Sequence, residues 1–381
     1  MAGALVTTNI LATTVAMGLS ALRQRLALVF IANRDYEQEI TAAKRFATVN
    51  VAVPAAVATR TVAPDVVPPA VTAVTPTSVP VSLTEWKEAP FAMDDKGMAQ
   101  VDRNILPMQA SEAVKGLANG IEDFLWSKYP ASYGYAGVAG TTPFSTDLSE
   151  YLAARKVANV QLMDMDPRFM VIDPDAEEKA LGVRAFQDAS FGGGDGVIIR
   201  GQIGNKLGAL WLMSQRVPLH TAGTASAGYL INNGAGYAIG IKTVTVDGGA
   251  LGTLIAGDII SFAGHTQTYT VVSSVGAGTV TSITFEPGLV AAVVDDEALT
   301  KRASHRLNSL IHRDALAFAM APLLDTVIVP GATLQSVAID EESGLSLRLE
   351  VSRQHRQVQW SYDALYGGAV VRANAWIRLA G

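Results

Sequence analysis

Five histidines and no cysteine limit the nucleophile and metal chemistry open to this 381-residue chain. His305 and His312 fall in a segment, Ser304 to Leu323, that reads as a helix because Leu307, Leu310, Ile311 and Phe318 supply spaced apolar positions. Seven residues apart, they would stand two turns from each other on one helix face, a poor geometry for sharing an ion. Surface or interface histidines are expected. His312-Arg313-Asp314 has the letters of a kinase catalytic triplet, but no glycine-rich nucleotide loop, strand lysine or Asp-Phe-Gly accompanies it. An exposed helix turn is the expectation. The acids Asp164, Asp166, Asp173, Asp175, Glu177 and Glu178 lack the spacing and the turn glycine of a calcium loop. Gly192-Gly193-Gly194-Asp195-Gly196 precedes the apolar run Val197-Ile198-Ile199, whereas a phosphate cradle lies between a strand and a helix N-terminus. It reads as a surface loop. No nucleophile elbow and no paired metal histidines are found. No catalytic, cofactor or metal site is expected, and the chain does not read as an enzyme.

The segment from Thr48 to Pro90 carries the strongest signal. Val51, Val53, Val57, Val62, Val66, Val67, Val71, Val74, Val79 and Val81 favour extended backbone. Pro54, Pro64, Pro68, Pro69, Pro76, Pro80 and Pro90, out of sixteen prolines in the chain, forbid helix and remove ladder donors. Arg60 and Asp65 are the only charges between Thr48 and Thr84. A disordered linker is more polar than this, so the segment reads as a long excursion that finds its partners on another chain. The whole chain repeats that bias: 49% of its residues are hydrophobic and 17% charged. Soluble domains carry charge on roughly a quarter of their residues. The surplus apolar surface points to subunit contacts, because no run of about 20 apolar residues could span a membrane. Ala2 to Val15 lacks the basic start of a signal peptide, so export is not expected. A net charge of −6 argues against a dedicated nucleic-acid binder.

Further elements follow from periodicity. Leu11, Val15, Leu22, Leu26 and Val29 predict a one-sided N-terminal helix. Val114, Leu117, Ile121, Phe124 and Leu125 predict a strut helix of about 22 residues, roughly 33 Å long, opened by Pro107 and ended by Pro130. Gly116 and Gly120, one turn apart, suggest close packing of this helix on a sheet. Asp147 is expected to cap a helix through Ala158, and Phe169 to Ile172 to form a buried strand. Asp173-Pro174 then opens a helix to about Gly182. After His220 the texture changes. Thirteen of 34 glycines lie between Gly223 and Gly288, amid short β-runs at 241–246, 258–263, 268–273 and 279–285. This reads as an all-β module set into an α/β host. Alternation at Leu345 to Val351 and Val358 to Tyr362 predicts closing strands, with Gly367-Gly368 as a turn before a last run from Val371 to Ile377.

The order of these parts resembles a tailed-bacteriophage major capsid (coat) protein of the Hong Kong 97 phage type, in the short-tailed phage group with an inserted β-domain. Phe169-Met170-Val171-Ile172-Asp173-Pro174 is similar to that family's strand-to-helix turn. Gly201-Gln202-Ile203-Gly204 and Val217-Pro218-Leu219-His220-Thr221-Ala222-Gly223 resemble its next strand and exit. Gly257 to Gly264 resembles a strand of the inserted domain, and His312 to Ala319 the return helix. Leu345 to Leu349 and Ser361 to Gly367 resemble the closing strands. The resemblance implies an α+β fold with an N-terminal arm (1–46), an extended loop (47–93) and a peripheral domain with the strut helix (94–145). An axial domain (146–218), the inserted all-β domain (219–300), a return helix (301–331) and closing strands (332–381) follow.

It further implies hexamers and pentamers of an icosahedral shell in the virion, assembled in the host cytoplasm with a scaffolding protein and a portal. A decoration protein could bind outside, with packaged DNA inside near Arg23, Arg25, Lys44 and Arg45. Neither cofactor nor membrane is implied. The rival readings are an encapsulin-like nanocompartment shell protein and a secreted β-rich adhesin or carbohydrate-binding protein. The inserted β-module disfavours the first of these, and the strut helix together with the missing export signal disfavours the second.

Overall fold

The computed structural model describes residues 26–35, 48–53, 57, 59–62, 73, 75–100, 105–187, 201–225, 228–276, 278–322, 333–339 and 345–381. The readings made at Ala2 to Val15, Arg23, Arg25, Lys44, Arg45 and Gly192 to Gly196 lie outside these residues. A short arm helix, α1 (Ala27–Ile31), comes first among them.

The strut is a 22-residue helix, α2 (Ile105–Trp126), with Pro107 in its first turn. Val114, Leu117, Ala118, Ile121, Leu125 and Trp126 bury one side of it. That side covers a five-stranded sheet built around β19 (Gln357–Val370), whose partners are β3 (Glu85–Asp94), β18 (Ser346–Gln354) and β16 (Leu316–Ala321). Strand β17 (Thr333–Ile339) completes it beside β18. Gly116 and Gly120 do not mark close packing: a side chain at either would meet open space. Gly367-Gly368 is not a turn, since β19 runs straight through it. These glycines serve close approach instead. A methyl on Gly367 would overlap Ser82 O of the incoming chain, and one on Gly368 would press on Ala317 O.

A second, seven-stranded sheet lies in the order β4 (Gly134–Gly137), β20 (Trp376–Ala380), β15 (His305–His312), β5 (Arg168–Ile172), β7 (Ala209–Met213) and β6 (Gly204–Lys206). The seventh strand, β8 (Leu219–His220), also pairs β15. Helix α3 (Ser149–Val160) begins where Asp147 Oδ1 accepts the Ser149 N–H at 2.8 Å. Asp173 caps α4 (Pro174–Gly182) through the Ala176 N–H, and β5 is buried throughout.

Among the described residues, the expected helix over Ser304 to Leu323, and with it the described part of the return helix of 301–331, gives way to β15, a 3₁₀ turn (Arg313–Ala315) and β16. Strand β15 is central, between β20 and β5, and both of its faces are covered. A strand buried on both faces shows no alternation, and its apolar run is indistinguishable from a helix by period alone. Its polar residues are buried partners instead of a wet helix face. Asn308 Oδ1 accepts the Asp173 N–H at 2.7 Å, and Ser309 Oγ accepts Trp376 Nε1–H at 3.0 Å.

Between β8 and β15 the chain makes a closed barrel in the order β10 (Thr243–Asp247), β13 (Ser282–Glu286), β12 (Tyr269–Val275), β11 (Ile259–Phe262), β14 (Ala298–Lys301) and β9 (Tyr229–Ile231). Val244 and Val246 point inward while Thr243, Thr245 and Asp247 face water, the period-2 pattern of a one-sided strand. Phe262, Tyr269 and Phe285 pack mutually, with ring centroids 5.2 to 5.5 Å apart. Gly249 is required because any side chain there would enter the Tyr229 ring.

Candidate functional site

Two places concentrate interactions that the fold alone does not demand. The first is the root of the extended segment. Strand β1 (Val49–Val53) pairs antiparallel with β2 (Thr77–Val81), from Val49 opposite Val81 to Val53 opposite Thr77. Val51 and Val81 are buried against Ala317 and Ala319 of β16. Each buried valine contributes roughly 1.5 kcal/mol or more. Beyond this root Val57 and Val62 are 73% and 86% exposed. On the return, β3 pairs with β19 over ten residues. The segment thus finds more partners in its own chain than its prolines suggest. Among the described residues, Pro80 and Pro90 sit on strands that pair on one side only, where a missing donor costs little.

Beside β3, Arg348 Nε donates to Asp363 Oδ1 at 2.9 Å, and its Nη2 forks onto Oδ2. Trp86 Nε1 donates to the same Oδ2 at 2.8 Å while the side chain stays largely exposed. With Glu88, Glu350, Ser352, Gln359 and Ser361 these residues line a polar groove on the outer face of the five-stranded sheet.

The second place is the seat of the barrel. Arg378 on β20 is fully buried and spends its donors on one turn and one barrel loop. Nε donates to Ser132 Oγ at 2.8 Å and Nη1 to Gly257 O at 2.6 Å, while Nη2 donates to Tyr129 O at 2.9 Å and Ser132 O at 2.6 Å. Burial pulls its guanidinium down to about 9, against the pull of Tyr129, Asp258 and Tyr135. Next to it, His220 Nε2 lies 2.9 Å from Asp258 Oδ1, and His220 Nδ1 lies 2.9 Å from the Tyr129 hydroxyl. The carboxylate only accepts, so Nε2 carries a proton; in the neutral ring Nδ1 accepts from Tyr129. Burial would raise the Asp258 carboxyl. The hydrogen bonds from His220 and from the Ile255 and Gly223 amides outweigh burial and hold it below its usual value. His305 packs on His220, ring centroids 5.3 Å apart, and donates through Nδ1 to Ala303 O at 2.8 Å. Burial lowers it to about 4.

The residues singled out from sequence are dispersed. His305 and His312 are buried at opposite ends of β15 instead of exposed on a helix. Strand β5 separates Asp164 and Asp166 from Asp173, Asp175, Glu177 and Glu178, so the acids form no single cluster. Among the described residues Asp164, His312 and Asp314 bring three ligand atoms within 4.8 Å. Both imidazole nitrogens are already engaged, Nδ1 by the Asp314 N–H at 3.2 Å and Nε2 by Asp166 O at 3.3 Å. His312-Arg313-Asp314 instead holds the arm: Arg313 pairs with Asp35 at 3.0 Å, and Asp314 Oδ1 accepts from Asn33 at 3.3 Å. Tyr129, Asp258 and Arg378 gave no signal in the sequence, because single residues from three remote segments carry no local spacing.

No protein-family model matches the chain, and no curated protein matches it. Among solved structures, a chain of Mycobacterium phage Che8 superposes with a TM-score of 0.50 at 14% identity, covering 93% of this chain and 90% of that one. The capsid structure of the cyanophage P-SCSP1u follows at 0.48 and 11%, covering 87% of this chain and 83% of that one. The mature capsid of bacteriophage PhiM1 gives 0.46 and 10%, covering 89% and 82%. Over most of its length this chain thus shares its fold with a phage chain.

Proposed function

We propose that this chain is the major capsid protein of a tailed bacteriophage, of the Hong Kong 97 type, which assembles with copies of itself into an icosahedral shell around double-stranded DNA. The observation that carries this reading is the half-anchored extended segment. Its root is buried on β16, while Val57 and Val62 stand in water, apolar and with few charges nearby. Exposed apolar chain on this scale is satisfied by a neighbouring subunit. In this reading the segment lies over the peripheral domain of an adjacent copy. That domain is the strut helix with the five-stranded sheet, and the seven-stranded sheet with α3 and α4 forms the axial domain around five-fold and six-fold axes. The barrel is the inserted domain, and β15 and β16 return the chain as strands. Obligate interfaces of this kind bury several thousand Å², which accounts for the surplus of apolar residues. The role is mechanical, with no catalysis. Scaffolding protein, portal, a decoration protein and packaged DNA are the partners this role calls for.

Expression of the chain alone and with a co-expressed scaffolding protein, followed by negative-stain electron microscopy, tests the reading. Closed shells of uniform diameter are the expected product. A chain that stays monomeric in sedimentation under both conditions overturns it. Nucleic acid inside native particles separates a virion from an enzyme-filled compartment.

A further inference from the structure

Glu122 is a carboxyl 1% exposed, one turn before the C-terminal end of the strut helix. Both of its oxygens lie 3.2 Å from the Leu28 N–H, in the first turn of the arm helix α1. That helix begins at Leu26 without any side-chain cap of its own, so a residue 94 positions away fills the role. Ser214 Oγ donates to Glu122 Oε1 at 3.3 Å and accepts the Arg216 N–H at 3.2 Å. The charged groups facing Glu122 are Asp123, its neighbour on the strut, and Arg216, which forks onto Asp123 with Nε at 2.8 Å from Oδ1. The arm segment 26–31 offers no titratable side chain. Trp126 Nε1, one turn along the strut, is buried outside hydrogen-bonding geometry but close enough to Glu122 to pull its carboxyl down slightly. The other end of the arm is held independently, by Asn33 N–H to Leu316 O at 2.8 Å and Phe318 N–H to Asn33 O at 3.0 Å.

We propose that Glu122 is a proton-controlled clasp: it holds the arm helix on the strut when protonated and lets the Leu28 end open when it ionises. The geometry supplies the reason. A neutral carboxyl still accepts the Leu28 N–H on its carbonyl oxygen and costs little to bury. The ionised group gains from Leu28 and Ser214 but is buried, and among the described residues no cation pairs with it directly: Arg216 forks onto Asp123 and acts on Glu122 only at longer range. Burial, the largest influence, with a smaller push from Asp123, raises the carboxyl from 4.5 to about 7 against the pull of Leu28, Ser214 and Trp126. A carboxyl freed into water ionises near 4.5, so opening releases a proton and is favoured as pH rises from about 4.5 to 7, then levels off.

The test is made on the purified full-length chain and does not depend on shell formation, so its outcome is separate from that of the capsid reading. Amide exchange at Leu28, corrected for intrinsic rates, is measured from pH 5 to 8 in the parent and in Glu122→Gln. The expected result is opening that rises about tenfold per pH unit up to pH 7 in the parent, and a flat profile in the variant. A parent profile without this slope, or the same slope in Glu122→Gln, overturns the proposal. Should Glu122→Gln not fold, carbon NMR of glutamate carboxyls in the parent and in Ser214→Ala decides. One carboxyl titrating near pH 7, moved upward by Ser214→Ala, is expected, and its absence overturns the clasp.

Discussion

Arg378 shows how one side chain joins two modules. Its donors reach Tyr129 and Ser132 on the turn after the strut and Gly257 and Thr270 on the barrel, so the last two bonds tie the barrel to the body while the others hold the turn to β20. Replacement by alanine leaves several buried carbonyls without partners. Arg378→Ala is expected to destabilise the chain by roughly 3–5 kcal/mol in urea unfolding. Loss of less than about 1 kcal/mol would mean that water or a neighbouring side chain takes over these carbonyls. His305 adds a pH dependence of known sign. Its folded value of about 4 lies below the ordinary 6.5 because of burial. The stability it contributes is therefore whole above pH 6.5 and is lost as pH falls towards 4, by roughly 3 kcal/mol at most. His305→Phe should flatten the acid limb of a stability–pH curve, and an unchanged limb would assign the loss to other groups.

At the scale of elements, the approach of the extended segment to β19 is the most sensitive contact. Gly367→Val should push Ser82 away and loosen the β1–β2 root while leaving the strut and barrel folded. Proteolysis focused near residues 48–84, with little change in circular dichroism, is the expected readout. The barrel should behave as a unit, since its strands pair only among themselves in a closed ring around their own core. Residues 222–303 expressed alone should melt cooperatively, whereas a random-coil amide spectrum would make Arg378 and His220 essential to its folding.

The strut, the Asp173-Pro174 cap and the barrel strands were legible in the sequence because each rests on local spacing: one apolar stripe, one capping pair, one period-2 run. Strand β15 was not, because full burial removes the alternation that identifies a strand. The glycine pair at 367–368 has the letters of a turn, but here it serves tight packing across 285 residues of chain. Glu122, Asp258 and Arg378 depend on partners that only the folded chain brings near.

For the whole molecule, the division between anchored root and exposed apex predicts a separation of folding from assembly. Replacing residues 54–76 with a short Gly-Ser linker keeps β1, β2 and their contacts with β16 intact. The variant should show the parent's circular dichroism and sediment as a soluble subunit that forms no shells. Normal closed particles from it would remove the extended segment from the assembly mechanism.

The barrel leaves and rejoins the body at a single rung, since His220 of β8 stands directly opposite His305 of β15. Such a doorway makes the module easy to gain or discard in one genetic event: a two-residue hairpin could bridge the gap without disturbing the sheet. Yet the body has grown dependent on its lodger. Excision would strip Gly257 and Thr270 from Arg378 and leave a guanidinium facing the space the barrel had filled. Any descendant that sheds the barrel must therefore change position 378 as well, and the two alterations are tolerated together far better than the deletion alone.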